Sequence, residues 1–210
     1  MKEKDVQILA GYFPEKALDL VVVLIEKYRV HFKIAKNRRT KLGDYRPPVK
    51  NRFHQISVNH DLNPYAFLIT FVHEMAHLLV FERYGLKISA PHGKEWKKEY
   101  RQLMQRFIDL NIFPDDLKKE LEKSIVNSKA SSLSEMGLYR ILKKYDQNSS
   151  IEEDVIDLEK LPEGTVFYTK NGLRFQKGEK QRVRYRCFNL DNKQWYLFHP
   201  LTPVKVWTEN

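Results

Sequence analysis

The sequence predicts an α+β protein: helices packed on a small β-sheet, then a helical connector, then a small antiparallel β module. Three observations carry this. Apolar residues recur at helical steps through most of the chain before residue 150, and period-two alternation takes over after it. The most apolar run, Tyr65 to Phe81, is the natural core helix, yet it holds two histidines and a glutamate. The expected boundaries are 1–113 for the compact first domain, 114–150 for the connector and linker, and 151–210 for the β module.

The bulk composition narrows the function classes. Hydrophobic residues at 42% and charged residues at 30% of 210 suit a folded globular chain and exclude a disordered one. The 37 Lys and Arg against 27 Asp and Glu give +10, so polyanions are plausible partners if that charge is concentrated on one surface. A single cysteine, Cys187, excludes an intramolecular disulfide and any zinc ribbon built on paired cysteines, and it fits a reducing compartment. Met1-Lys2-Glu3-Lys4-Asp5 lacks the pattern of a secretory signal, so a cytoplasmic location is expected. His73, Glu74 and His77 break the apolar run before it reaches the roughly 18 residues of a membrane span, so no membrane partner is expected.

The elements follow in order. From Pro14 to about Val30, apolar residues at three- and four-residue steps predict an amphipathic helix. His31 to Lys36 reads as a strand, Asn37 to Gly43 as a basic turn, and His54 to Asn59 as a second strand after the interruption at Pro47-Pro48. Asn63-Pro64 is a helix start, an N-cap followed by a proline with no donor to lose, and Gly85 closes that helix after Tyr84. A further helix is expected from Gly93 to Leu110, with Trp96, Tyr100, Leu103, Met104 and Phe107 on one face. Residues 116–123 and 135–145 carry two more helical patterns. Strands are expected at 165–169, 182–188, 194–199 and 204–207, with turns at Asn171-Gly172 and Asp191-Asn192.

The chemistry concentrates in His73-Glu74-Met75-Ala76-His77. Histidines four apart share one helix face, so two imidazoles can converge on one cation, and neutral imidazole is a normal zinc ligand. Glu74, beside the first ligand, is placed to reach a water without binding the metal, as a general base does. A chance occurrence of this pattern in a chain of this length is on the order of one per cent. The bland alternative, a core helix with hydrogen-bonded histidines, buries three polar side chains at a cost that a metal would offset. A catalytic zinc needs a third protein ligand and an open position. His92 is preferred, because Gly93 permits close approach after the turn at Gly85. Glu95 or Glu99 would instead give the His, His, Glu arrangement.

Three segments together resemble the SprT-like metallopeptidases, which include bacterial SprT and the Spartan-type proteases: His73 to His77, His92-Gly93-Lys94-Glu95-Trp96, and Arg38-Arg39-Thr40-Lys41-Leu42-Gly43. The match spans roughly residues 14 to 110. The resemblance implies a zincin-like catalytic domain, one Zn2+ per chain held by His73, His77 and His92, and hydrolysis of peptide bonds in protein substrates with Glu74 as the base. It also implies DNA-associated or DNA-crosslinked proteins as a substrate class. Many relatives carry a C-terminal zinc ribbon, which a chain with only Cys187 cannot build. Tyr45, Arg46 and His54 are nearby candidates for stabilising an oxyanion, each with an ordinary structural role as the alternative.

In the β module, Arg182, Arg184 and Arg186 alternate with Val183, Tyr185 and Cys187, so on one strand the three guanidinium groups would share a face. With Lys170, Arg174, Lys177 and Lys180 they make a candidate nucleic-acid surface on which Trp195, Tyr196 or Phe198 can stack bases. The same residues also suit the solvated face of a half-buried sheet. Two rivals to a DNA-recruited protease follow: a catalytically silent DNA-binding or regulatory protein with a structural zinc site, and an enzyme whose β module docks a protein partner on its exposed edge.

Overall fold

The computed structural model describes residues 1–38, 41–48, 53–85, 90–127, 136–146 and 154–207. It comprises two units, Met1–Asp146 and Gln147–Asn210. In the first, helix α1 (Glu3–Ala10) precedes a 3-10 turn at Glu15–Ala17 and helix α2 (Leu18–Lys27). The single helix expected from Pro14 therefore has a tighter first turn and stops short of Val30, where Arg29 adopts a positive φ of 48°. Helix α1 escaped the sequence pattern because only Leu9 on it is buried.

Strands β1 (Val30–Ala35), β2 (Gly43–Arg46) and β3 (His54–Asn59) form a sheet in the order β1-β3-β2, with β1 parallel and β2 antiparallel to the central β3. Strand β2 occupies residues that read as the end of a turn and the approach to Pro47-Pro48. It is short, at an edge, and only half-buried.

Helix α3 (Pro64–Tyr84) matches its predicted limits. The Asn63 Oδ1 accepts the Ala66 N–H at 2.9 Å, Pro64 takes the first helical position, and Gly85 ends the helix at φ 63°, a conformation that glycine adopts without steric cost. By length and composition α3 could cross a membrane, but 67% of that apolar window is buried inside the unit. It is the central core helix, with Phe67 and Phe71 meeting Phe13 edge to face at 4.9 and 5.3 Å. Truncating such a ring in a packed core costs about 3–5 kcal/mol.

Helix α4 (Lys94–Asp109) packs on α3 and buries Trp96, Tyr100, Leu103, Met104 and Phe107, the predicted face. Helices α5 (Asp115–Asn127) and α6 (Met136–Lys143) add Leu117, Leu121, Ile125, Leu138 and Leu142 to the same core. The stretch expected as a connector is thus part of the first unit's packing up to Asp146. Asn63 ties it down: its Nδ2 donates to the Leu142 carbonyl at 2.9 Å and to Asp146 at 2.7 Å.

The second unit is one antiparallel sheet of β4 (Val155–Asp157), β5 (Val166–Tyr168), β6 (Arg174–Gln181), β7 (Arg184–Asn189), β8 (Trp195–Phe198) and β9 (Pro203–Val206), in the order β4-β9-β5-β6-β7-β8. Its core is small: Leu158, Leu161, Phe167, Phe175, Cys187 and Val204. Lys177 is buried with them, its ammonium donating to the carbonyls of Glu159 and Leu161 and lying 4.0 Å from the centre of the Tyr185 ring. Burial lowers the Lys177 pKa and pushes the Cys187 thiol up to about 11.

Candidate metal centre

The middle of α3 presents His73 and His77 one turn apart, and the segment ahead of α4 brings His92 to them. The three Nε2 atoms form a triangle with sides of 3.0, 3.1 and 3.3 Å. Donors held 2.0–2.1 Å from a tetrahedral zinc stand about 3.3 Å apart, so the triangle has the dimensions of one face of such a site. Three histidine nitrogens can therefore hold a metal ion. The three histidines are only partly buried, as a site open to a fourth, non-protein ligand requires.

Electrostatics favour the ligand form. Desolvation, with the neighbouring His77 and His92, brings the His73 pKa down to about 3. Desolvation and His92 bring His77 down to about 4, and desolvation lowers His92. All three rings are neutral at pH 7, each with a lone pair available to a cation.

The indole of Trp96 forms the wall behind the triangle. It packs 4.6, 5.6 and 4.7 Å from the rings of His73, His77 and His92, stacks on Tyr100 at 4.8 Å, and its Nε1 points at the His73 carbonyl at 3.4 Å. A large flat side chain there limits ring rotation in all three histidines at once. The two carboxylates considered as alternative ligands lie elsewhere: Glu95 faces Lys94, and buried Glu99 meets the Arg83 guanidinium at 2.8 Å.

Glu74, next to His73 on α3, is buried, and strand β2 packs against its carboxylate. The Tyr45 main-chain N–H faces its carboxylate closely enough to oppose the rise of its pKa. A Cβ on Gly43 would fall 2.4 Å from Glu74 Oε1 and 2.8 Å from Thr70 Cγ2, so only glycine lets the strand approach this closely. Desolvation first, and the charge of Asp44 second, raise the Glu74 pKa to about 8, against the opposing pull of Arg38, the Tyr45 N–H and Lys41. A carboxyl poised near neutrality is suited to taking and returning a proton.

A SprT-like family model matches residues 12–119, more than half of the chain. The chain belongs to the SprT-like family. No curated protein and no solved structure matches it. The basic turn that carries part of the SprT-like resemblance is a brace. Arg38 donates to Asn59 Oδ1 at 2.7 Å and Ser57 Oγ at 2.9 Å, while Lys41 and Arg46 pair with Asp44. Arg39 and Thr40 lie outside the described residues. Of the oxyanion candidates, Arg46 is exposed and bound to Asp44, and Tyr45 and His54 are hydrogen-bonded to each other.

The arginine stripe is the main correction. Arg182 and Val183 form the turn between β6 and β7, and Arg182 has a φ of 51°, so only Arg184 and Arg186 share a strand face. Other expected cations are engaged: Arg174 is held by Asp191 at 2.8 Å, and Lys177 is buried. Residues 147–210 carry 10 Lys and Arg against 9 Asp and Glu, whereas residues 1–146 carry 27 against 18. The net positive charge therefore belongs almost wholly to the first unit. What the β module does present is Trp195, half-exposed, with the Arg186 guanidinium 4.2 Å from the centre of its ring.

Sequence reasoning missed Gly43, the Tyr45 N–H and the Trp96 wall. A glycine at the end of the basic turn was the available signal for the first. The other two are main-chain and packing roles that spacing does not reveal.

Proposed function

We propose that this SprT-like chain is a zinc-dependent metalloendopeptidase that hydrolyses peptide bonds in protein substrates. The observation that carries the reading is the triangle of His73, His77 and His92 nitrogens with a buried carboxylate, Glu74, beside it. A purely structural zinc takes four protein ligands and has no use for such a carboxylate. Among the described residues, three groups converge here.

When bound, zinc supplies Lewis acidity, bringing the pKa of water to about 7 and polarising a peptide carbonyl. The chain's own part is proton transfer and orientation. Glu74 accepts a proton from the attacking water at its carboxylate and later delivers it to the departing amine. The Tyr45 N–H keeps that carboxylate aimed, and Trp96 with Tyr100 excludes water from the rear of the site.

The test is cleavage of protein substrates by metal-replete chain, with Glu74→Gln as control. Glu74→Gln is expected to keep one zinc and lose hydrolysis. Full turnover by the pure variant would remove Glu74 from its role.

For the substrate, the reading extends to proteins carried on DNA. Its support is Arg186 over the half-exposed Trp195 ring, with Arg184 on the same face of β7, an arrangement suited to phosphates and stacked bases. Salt-sensitive DNA affinity that falls when Arg182, Arg184 and Arg186 are changed together is the expected result. Absence of binding at low salt would restrict the reading to free protein substrates.

A further inference from the structure

Tyr45 is engaged at both ends. Its main-chain N–H faces Glu74, on the strand whose Gly43 packs against that carboxylate, while its hydroxyl lies 3.0 Å from His54 Nδ1 on the neighbouring strand. His54 Nε2 in turn lies 3.1 Å from Glu82 Oε1, two turns beyond Glu74 on α3. In the tautomer that donates Nε2–H to the Glu82 carboxylate, His54 Nδ1 is an acceptor. The Tyr45 O–H then donates to it, and in that tautomer the chain runs from phenol to imidazole to carboxylate.

Each member is further restrained. His54 is 8% exposed, lies edge-on to Phe81 at 5.8 Å, and belongs to the central strand, paired with Val30. The Tyr45 ring lies within 5° of parallel to His77, with centres 6.5 Å apart. A residue fixed by its hydroxyl cannot turn about the strand axis without tilting its own N–H. Fixing the phenol thus fixes the donor to Glu74, and it sets the ring that borders His77.

We propose that Tyr45, His54 and Glu82 form a positioning chain that holds the edge strand β2, and with it the Glu74 carboxylate, in register with the metal-ligating turn of α3. The inference rests on the peptidase reading for its effect on turnover, but its structural content is independent of it. None of the three is among the histidines that converge on the candidate metal position. Their coupling arises because α3 passes beneath the strand pair, so that residues 45, 54 and 82 meet although far apart in the chain.

The experiment uses the full zinc-loaded chain and the variants Tyr45→Phe, His54→Ala and His54→Asn. Three readouts are taken on each: steady-state cleavage, zinc per chain, and amide exchange at residue 45 by NMR. Removing an outer partner of a metal site typically costs about 10–100-fold. Tyr45→Phe and His54→Ala are expected to lose kcat in that range, with KM within about twofold and one zinc retained. Exchange at the residue 45 amide should quicken in both. In His54→Asn the side-chain oxygen stands where Nδ1 stood and accepts the phenol, so most of the kcat should return. Unchanged kcat in folded Tyr45→Phe and His54→Ala overturns the proposal, as does zinc loss in step with activity. If the wild-type chain cleaves nothing, the peptidase reading fails alone. Amide exchange then decides, faster exchange in both variants supporting the chain and unchanged exchange overturning it.

Discussion

The two units of this chain each bury charged or polar side chains, and they treat them in opposite ways. In the second unit Lys177 is closed off, its protons taken by two carbonyls and its charge set against the Tyr185 ring. In the first, three imidazole nitrogens point at one another across 3.0 to 3.3 Å, and a carboxyl is held with its pKa near 8. Three ring nitrogens crowd one point there, each able to turn a lone pair toward a cation, and stability alone does not select such an arrangement. A satisfied buried charge is a brace, whereas a convergent set of half-exposed acceptors is a place for a cation.

Four substitutions or conditions break or sharpen that contrast. The largest effect is expected for His92→Ala, which removes one corner of the triangle. Zinc per chain should fall from one towards zero, cleavage should fall to background, and chelation should no longer change the melting of the first unit. Metal analysis and calorimetry read both, and retained stoichiometry would return attention to Glu95 and Glu99. Next is Gly43→Ala, whose added methyl must displace the Glu74 carboxylate. A kcat loss of about 100-fold with zinc retained is expected in kinetic assays, the scale of a misplaced catalytic group.

The third effect is pH dependence in the metal-free protein. Glu74 has an ordinary pKa of 4.5 when unfolded and about 8 when folded, so between these values the folded chain holds a proton that the unfolded chain has released. Its contribution to stability is present below pH 4.5 and is lost as pH rises through 8. Glu74→Gln lacks this loss. Its urea midpoint should exceed that of the wild type at pH 8 and converge with it below pH 4.5. The smallest effect belongs to the brace: Lys177→Ala leaves two carbonyls without their donor and should destabilise the second unit by about 1–3 kcal/mol. Cleavage of a short peptide should be untouched, and a change in that rate would show that the brace and the site are coupled.

What was legible in the sequence divides along the same line. Asn63, Pro64 and Gly85 delimit α3 through local backbone chemistry, so its ends were readable from neighbours in the chain. His73 and His77 share a face by helical period, and a glycine after His92 marked the third corner. Strand β2 was not readable, because three half-buried residues and an exposed arginine between a basic turn and Pro47 show no alternation, and what makes them a strand is pairing with β3. Glu82 gave no signal, since its partner His54 is 28 residues away. The arginine stripe misled for a related reason: period-two alternation continues through a two-residue turn, and only the positive φ at Arg182 reveals the break.

Asn63 has one more consequence. Its Oδ1 starts the helix that carries the histidines, while its Nδ2 holds the end of α6. The family match ends at residue 119, yet Leu121, Ile125, Leu138 and Leu142 lie in the same core beyond it. A fragment cut at the edge of the recognisable homology would lose four core side chains and strip the cap of its second set of partners. The smallest piece to excise for study therefore runs from Met1 to Asp146, and the natural place to sever the chain is after the last helix rather than after the last motif.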